Sequence, residues 1–459
     1  MHVNEADILI PKVSNNEGLL KYVSGMILER TTKDQIPVRF VITRTDNEGY
    51  HCELAVLSEC EEFHIRPKEL IFNFNKRSSE SIEKFNAVLL IPTGIGAEIG
   101  GHSGDGGPLA RLMASACDTL ITHPNVVNAS DINELPDNAL YVEGSTISRL
   151  LMGTVGLQRV RANRVIFIMD KHFDKFFNEA AINSVSAARA AFGLDCPLVV
   201  EMDDRVLMRS LFSNSGRATG RIEYIEHLCK ALSEYKASYD AVALSSLIEV
   251  PSHFHEDYFK LDDMVNPWGG VEAMLTHTIS LLFDIPSAHS PMTPSRELLD
   301  LDVGIVDPRK AAEAVSTTYL HCILKGLHKS PKIVSISSLH GNHSLMTVSD
   351  ISCLIIPYGC VGLPTLAALE QGITVIAVKE NKNRMQNLLE ELPFRPGQLI
   401  VVDNYLEAVG VMHAIKAGVA LDSIRRPLLW TKVTEEYGKE VNPLAKTTDA
   451  FLNSENNTE

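Results

Sequence analysis

From Ala87 onward the chain alternates short apolar runs with longer stretches in which apolar residues recur every three or four positions. The runs AVLLIP, DTLITHP, RVIFIMD, CPLVVEM and YDAVALSSL predict strands, and AAINSVSAARAAF and RIEYIEHLCKALSEY predict helices among them. A second series follows, with strands at KIVSISS, SCLIIPYG, ITVIAVKEN and QLIVVDN. There, PRKAAEAVSTTYLHCILKGL reads as one helix with Pro308 near its start. Near-continuous apolar strands separated by helices indicate a buried, mainly parallel sheet.

The first 86 residues differ. EGLLKYVSGMILER has helical spacing, while PVRFVITRT and YHCELAVLS are strand-like and joined by DNEG, a good hairpin turn because glycine tolerates positive φ. The expected fold class is α/β, with two Rossmann-like lobes of mainly parallel sheet and a small N-terminal α+β unit. The expected divisions are 1–86, 87–235 and 236–425, followed by a partly disordered extension, 426–459, ending in the polar LNSENNTE.

Composition narrows the classes of function. The chain has 459 residues, 45% of them hydrophobic and 22% charged, and no apolar run approaches the roughly 20 residues of a membrane helix. With no basic segment followed by a long apolar one near Met1, a cytoplasmic protein with no membrane partner is expected. The formal charge of −16 argues against nucleic acid as a partner, since phosphate backbones are bound by Lys and Arg. The eight cysteines form no CxxC pair and mostly sit in apolar runs, as reduced buried thiols do.

Two glycine loops carry the candidate chemistry. IPTGIGAEIGGHSGDGGP, residues 91–108, holds seven glycines in eighteen residues between an apolar strand and a helix. Such a loop lets the backbone approach a ligand and presents a helix N-terminus to an anion. Gly94, Gly96, Gly100, Gly101 and Gly104 are therefore candidate binding positions, with His102 and Asp105 as candidate proton-transfer groups. The spacing departs from a dinucleotide fingerprint, and no GK[ST] phosphate loop is present. The second loop, PYGCVGLPTLAALEQG, repeats the arrangement: Gly359 and Gly362 form the turn, and Cys360 is a candidate nucleophile near a helix start.

Further polar residues follow strands. LITHPNVVNAS contributes His123, Asn125 and Asn128, and YVEGSTISRLL contributes Glu143. SNSGRATGR offers Arg217 to an anion. NPWGGVEAMLTHTISLLFDIPSAHSP places Gly269 and Gly270 at a helix start, with Glu272 in its first turn, His277 on the same helix as a secondary candidate and His289 in the extended segment that follows. His253, His255, Glu256 and Asp257 in PSHFHEDYF, which reads as a loop, and His340 and His343 in HGNH lack standard metal spacing, so a metal is not expected and the cofactor stays open.

Taken together, IPTGIGAEIGGHSGDGGPLARLMA, LITHPNVVNAS, YVEG and GGVEAMLTHTIS…IPSAHSP resemble the bacterial and plastid domain-of-unknown-function 3326 family over about residues 87–420. In that family the glycine loop usually begins close to the N-terminus, so the leading 86 residues depart from its pattern and bear on partner or substrate choice. The resemblance implies no particular reaction. The residues themselves suggest an enzyme of small-molecule metabolism acting on an anionic, phosphorylated or carboxylated metabolite between the two glycine loops, as a monomer or homo-oligomer. Group transfer is favoured over lyase or isomerase chemistry. The alternative is a non-catalytic metabolite sensor.

Overall fold

The computed structural model describes residues 1–12, 18–60, 63–130, 132–316, 319–338, 345–434 and 440–441. LNSENNTE and the histidines of HGNH lie outside them. Residues Met1–Val409 form one compact unit. Residues from Gly410 onward form another, containing the short helix Leu421–Ile424.

One sheet of the first unit is wholly parallel. Its strands run in the order Leu399–Val402, Thr374–Val378, Cys353–Pro357, Asn86–Leu89, Thr119–Thr122 and Ala139–Tyr141. The central strands are fully buried, as their unbroken apolar sequences require. Strand order reverses between Asn86–Leu89 and Cys353–Pro357. From the first the chain winds outward in one direction, and from the second it winds outward in the other. This is the switch point at which doubly wound sheets leave a crevice beyond their carboxyl ends. The two glycine loops follow these two neighbouring strands, although Ala87 and its partner Cys353 lie 266 positions apart in the chain.

The other large sheet is mixed. Strands Asp195–Met202, Arg164–Asp170, Ala241–Glu249 and Ser287–Met292 pair in parallel. Leu207–Phe212 and Ala218–Glu223 then continue the sheet as an antiparallel pair. Beyond them, strand His2–Ile10 pairs with Ala218–Glu223 on one side and Tyr50–Ser58 on the other. The predicted DNEG hairpin is present, with Gln35–Thr45 paired antiparallel to Tyr50–Ser58.

Mixed α/β architecture thus stands, with one parallel sheet, but the second sheet is far less parallel than expected. The sheets also cross the expected boundaries at residues 86 and 235. Strands 86–141 share a sheet with strands 353–402, and the N-terminal hairpin joins the sheet built from residues 164–292. Strand pairing is chosen by nonlocal burial, which a linear reading does not contain. SNSGRATGR holds the turn and the start of the second strand of a hairpin whose first strand, LMRSLF, is largely exposed on one face and so carries a weak apolar signal.

Two local expectations also change. The helix predicted over residues 308–327 is divided into Ala311–Val315 and Leu320–Lys329, with Ser316 extended at φ −147° and ψ 132°. Val-Ser-Thr-Thr, at residues 315–318, is its weakest helix-forming run. PSHFHEDYF is no loop: Ser252–Lys260 is helical and buries Tyr258.

Candidate functional site

A cavity of about 260 Å³ opens at the carboxyl ends of strands Asn86–Leu89, Thr119–Thr122 and Ala139–Tyr141. The first glycine loop contributes Gly94, Gly101 and His102, and the next two strand ends contribute His123, Asn125, Asn128 and Glu143. Opposite them, helix Gly269–Phe283 presents Gly269, Glu272, Ala273, Thr276 and His277, which share one face because its turns repeat every 3.6 residues. Ser103, His255, Asn266, His289 and Glu313 add to the polar lining. Among the described residues, no Lys or Arg lines this cavity.

Each carboxyl is held differently. Glu143 caps helix Gly144–Leu151, accepting hydrogen bonds from the Ser145 N–H at 2.9 Å and the Thr146 N–H at 3.2 Å. The Ser145 hydroxyl and the His277 ring also contact it. Burial works against its charge, but His277 and the Ser145 donors prevail and hold its pKa to about 2. Glu272 lies 2.8 Å from His289 Nδ1, whose Nε2 is 2.8 Å from the Ser246 hydroxyl. Glu313 accepts from the Ser103 N–H at 2.7 Å and the Tyr258 hydroxyl at 2.9 Å. Burial nevertheless dominates and raises its pKa to about 7.

The histidines nearest the glycine loop are kept neutral. His102 Nδ1 lies 2.8 Å from the Tyr258 oxygen, and burial with nearby Lys310 lowers its pKa to about 4. His123 accepts from the Ile91 N–H at 3.2 Å, and burial lowers its pKa to about 4 as well. Neutral imidazoles beside an ionised Glu143 and a protonatable Glu313 make this lining suited to proton transfer near neutral pH.

Not every expected residue reaches the cavity. Asp105 instead accepts from the Gly100 N–H at 3.0 Å within its own loop, and burial pushes its pKa to about 7. Gly96, Gly100 and Gly104 have positive φ and face Val265, Ile91 and Ala129, so they shape the loop. A Cβ on Gly270 would stand 2.2 Å from the Ala218 carbonyl oxygen, which identifies a packing position. Asn125 lines the cavity but also donates to the carbonyls of Ile91 at 3.1 Å and Gly100 at 2.7 Å, tying the loop to the next strand.

Arg217 is corrected most clearly. It is buried, and its guanidinium pairs with Glu5 and Glu53, so its charge is committed inside the protein. Cys360 is also buried, and burial alone drives its thiol pKa far upward, opposite to what a nucleophile needs. Gly359 turns at φ 88° beside Met385, and Gly362 pairs with Val41 at the edge of the mixed sheet.

Glu313, Tyr258, Trp268 and Tyr319 were not singled out in the sequence. Tyr258 lies in PSHFHEDYF and Glu313 in what reads as an ordinary helix, and only folding unites them. His255 lines the cavity and packs against Trp268 with ring centres 5.3 Å apart. His253, His255, Glu256 and Asp257 do not meet as a donor set. Among the described residues, Asp46, Glu48 and His51 are the one cluster close enough to share an ion, and they lie on the hairpin turn, where Asp46 already pairs with Arg44 and His51.

Comparison with known proteins agrees with the motif order. The chain is 33% identical over 340 residues to an uncharacterised lipoprotein of Synechococcus sp., covering 72% of this chain and 91% of that protein. No helix among the described residues is long and apolar enough to cross a membrane. No solved structure matches. Residues 86–425 match the family described as protein of unknown function, DUF3326, and the chain belongs to that family.

Proposed function

We propose that the chain is an enzyme of small-molecule metabolism that performs acid–base chemistry in the 260 Å³ cavity. The observation that carries this reading is the convergence of Glu143, Glu272 and Glu313 on one cavity, each fixed by a different set of hydrogen-bonding or ionic partners. Glu313 is the proton-transferring group, with Tyr258 and Ser103 orienting its carboxyl. Glu143 remains ionised and fixes His277, while His102 and His123 stay neutral.

The glycine loop alone suggests an anionic substrate. The carboxylate-rich lining without Lys or Arg favours a neutral hydroxyl-bearing or cationic group instead, because an anion there meets like charge. Group transfer is the preferred reaction class, since the two glycine loops open on neighbouring spaces. Lyase or isomerase chemistry draws on the same acid and base.

The test is mass spectrometry of the purified protein incubated with fractionated metabolites, comparing wild type with Glu313→Gln. A product formed by wild type and reduced roughly 100-fold or more in the variant supports the reading. Saturable binding with no product from either protein identifies a sensor and overturns it.

A further inference from the structure

A second cavity, of about 120 Å³, adjoins the first. Thr93, His123, Gly144, Ala273 and His277 line both. Its character is different: Val38, Phe40 and Val41 from the N-terminal hairpin line it together with Leu90, just before the first glycine loop, and Ile95 and Val361 from the two loops. Its two arginines, Arg39 and Arg217, are already paired with Glu5 and Glu53 and leave no free charge to neutralise. A dry apolar cavity of about 150 Å³ accepts benzene, so this space suits a group of that order.

Gly144 leaves room for the His277 ring at the boundary. A Cβ there would lie 3.1 Å from the His277 ring, crowding the wall that the two cavities share. The strand Gln35–Thr45, which contributes three apolar residues to the second cavity, precedes the region matched by the family.

We infer that the second cavity is an apolar subsite for a compact aliphatic or aromatic substituent of the substrate whose polar group reacts in the first cavity, and that the N-terminal hairpin sets its size. This rests on the acid–base reading of the first cavity. The substrate class becomes a small amphipathic molecule, with a hydroxyl or amine at one end and a branched or ring hydrocarbon at the other. The hairpin is then a specificity element added in front of the family region.

Calorimetric titration of the full chain with methylammonium, benzylammonium and benzene tests this. Benzylammonium should bind roughly tenfold or more tightly than methylammonium, from burial of the ring. Val41→Phe, at a half-buried position, should erase that gain and benzene binding while leaving methylammonium unchanged. Equal affinity for the two amines, or a gain that survives Val41→Phe, overturns the subsite. If benzene binds and is displaced by Val41→Phe but neither amine binds, the apolar site stands and the cationic reading of the first cavity fails. Xenon-pressurised wild-type crystals give a check that needs no variant: xenon between Val38, Phe40 and Val361 supports the subsite, and its absence there overturns it.

Discussion

Tyr258 donates its hydroxyl hydrogen to Glu313 Oε1 at 2.9 Å, while the same oxygen lies 2.8 Å from His102 Nδ1. A buried carboxyl, a phenol and an imidazole from three separate segments thereby form one chain. Since His102 is neutral above about pH 4, the row is consistent when Nδ1–H donates to the phenol and the phenol donates to the carboxylate.

This arrangement predicts a carboxyl that titrates near neutrality. Infrared difference spectra between acid and alkaline pH should show protonated-carboxyl absorption with a midpoint at about 7, of which the Glu313 component is lost in Glu313→Gln while that of Asp105 remains. Tyr258→Phe should move the midpoint higher, because the ionised form loses a donor. A midpoint in the ordinary Glu range removes the basis for Glu313 as the proton-transferring group.

Asp105 makes a prediction about stability. Its folded-state pKa, about 7, lies above the ordinary value of 3.8, so its contribution is fully present below about pH 4 and is lost as pH rises through about 7. Asp105→Asn imitates the protonated form and should gain on wild type between pH 4 and pH 8, reaching roughly 1–3 kcal/mol in thermal or urea unfolding. A difference independent of pH disproves the shift.

Glu143 should behave in the opposite way. Its pKa is lowered to about 2, so its contribution is present above about 4.5 and lost as pH falls toward 2. Glu143→Gln should cost about 1–3 kcal/mol at pH 7 through loss of the helix cap and of the His277 partner. The cost should vanish near pH 2 in denaturant titrations.

The glycine loop contains both essential and replaceable positions. A Cβ at Gly101 would stand 2.0 Å from the Ala97 carbonyl oxygen, whereas one at Gly107 meets nothing within 4 Å. Gly101→Ala should destabilise the chain by roughly 2 kcal/mol or more, and Gly107→Ala should be neutral or slightly stabilising. Equal unfolding midpoints for the two variants contradict the close approach.

Cys360 should be inert. With burial raising its thiol pKa, iodoacetamide should leave it unmodified in the native chain at pH 8 and label it after unfolding, as peptide mass spectrometry will report. Cys360→Ala should retain most activity.

Much of the local structure and several site residues were legible without coordinates. Because each pattern is set by which neighbouring positions must leave water, apolar periodicity located most of the parallel strands and the hairpin, though not Ala139–Tyr141 or Ser287–Met292. Polar residues just beyond strand ends pointed to His102, His123, Asn125, Asn128 and Glu143, which all line one cavity. What the sequence could not decide was pairing across long separations. Only the tertiary structure put the strand ending at Leu89 beside the one beginning at Cys353, and so brought the two glycine loops together. It also spent Arg217 on Glu5 and Glu53, enclosed Cys360, and joined Glu313 to Tyr258. Charge compensation and desolvation depend on neighbours in space, and these neighbours lie far apart along the chain.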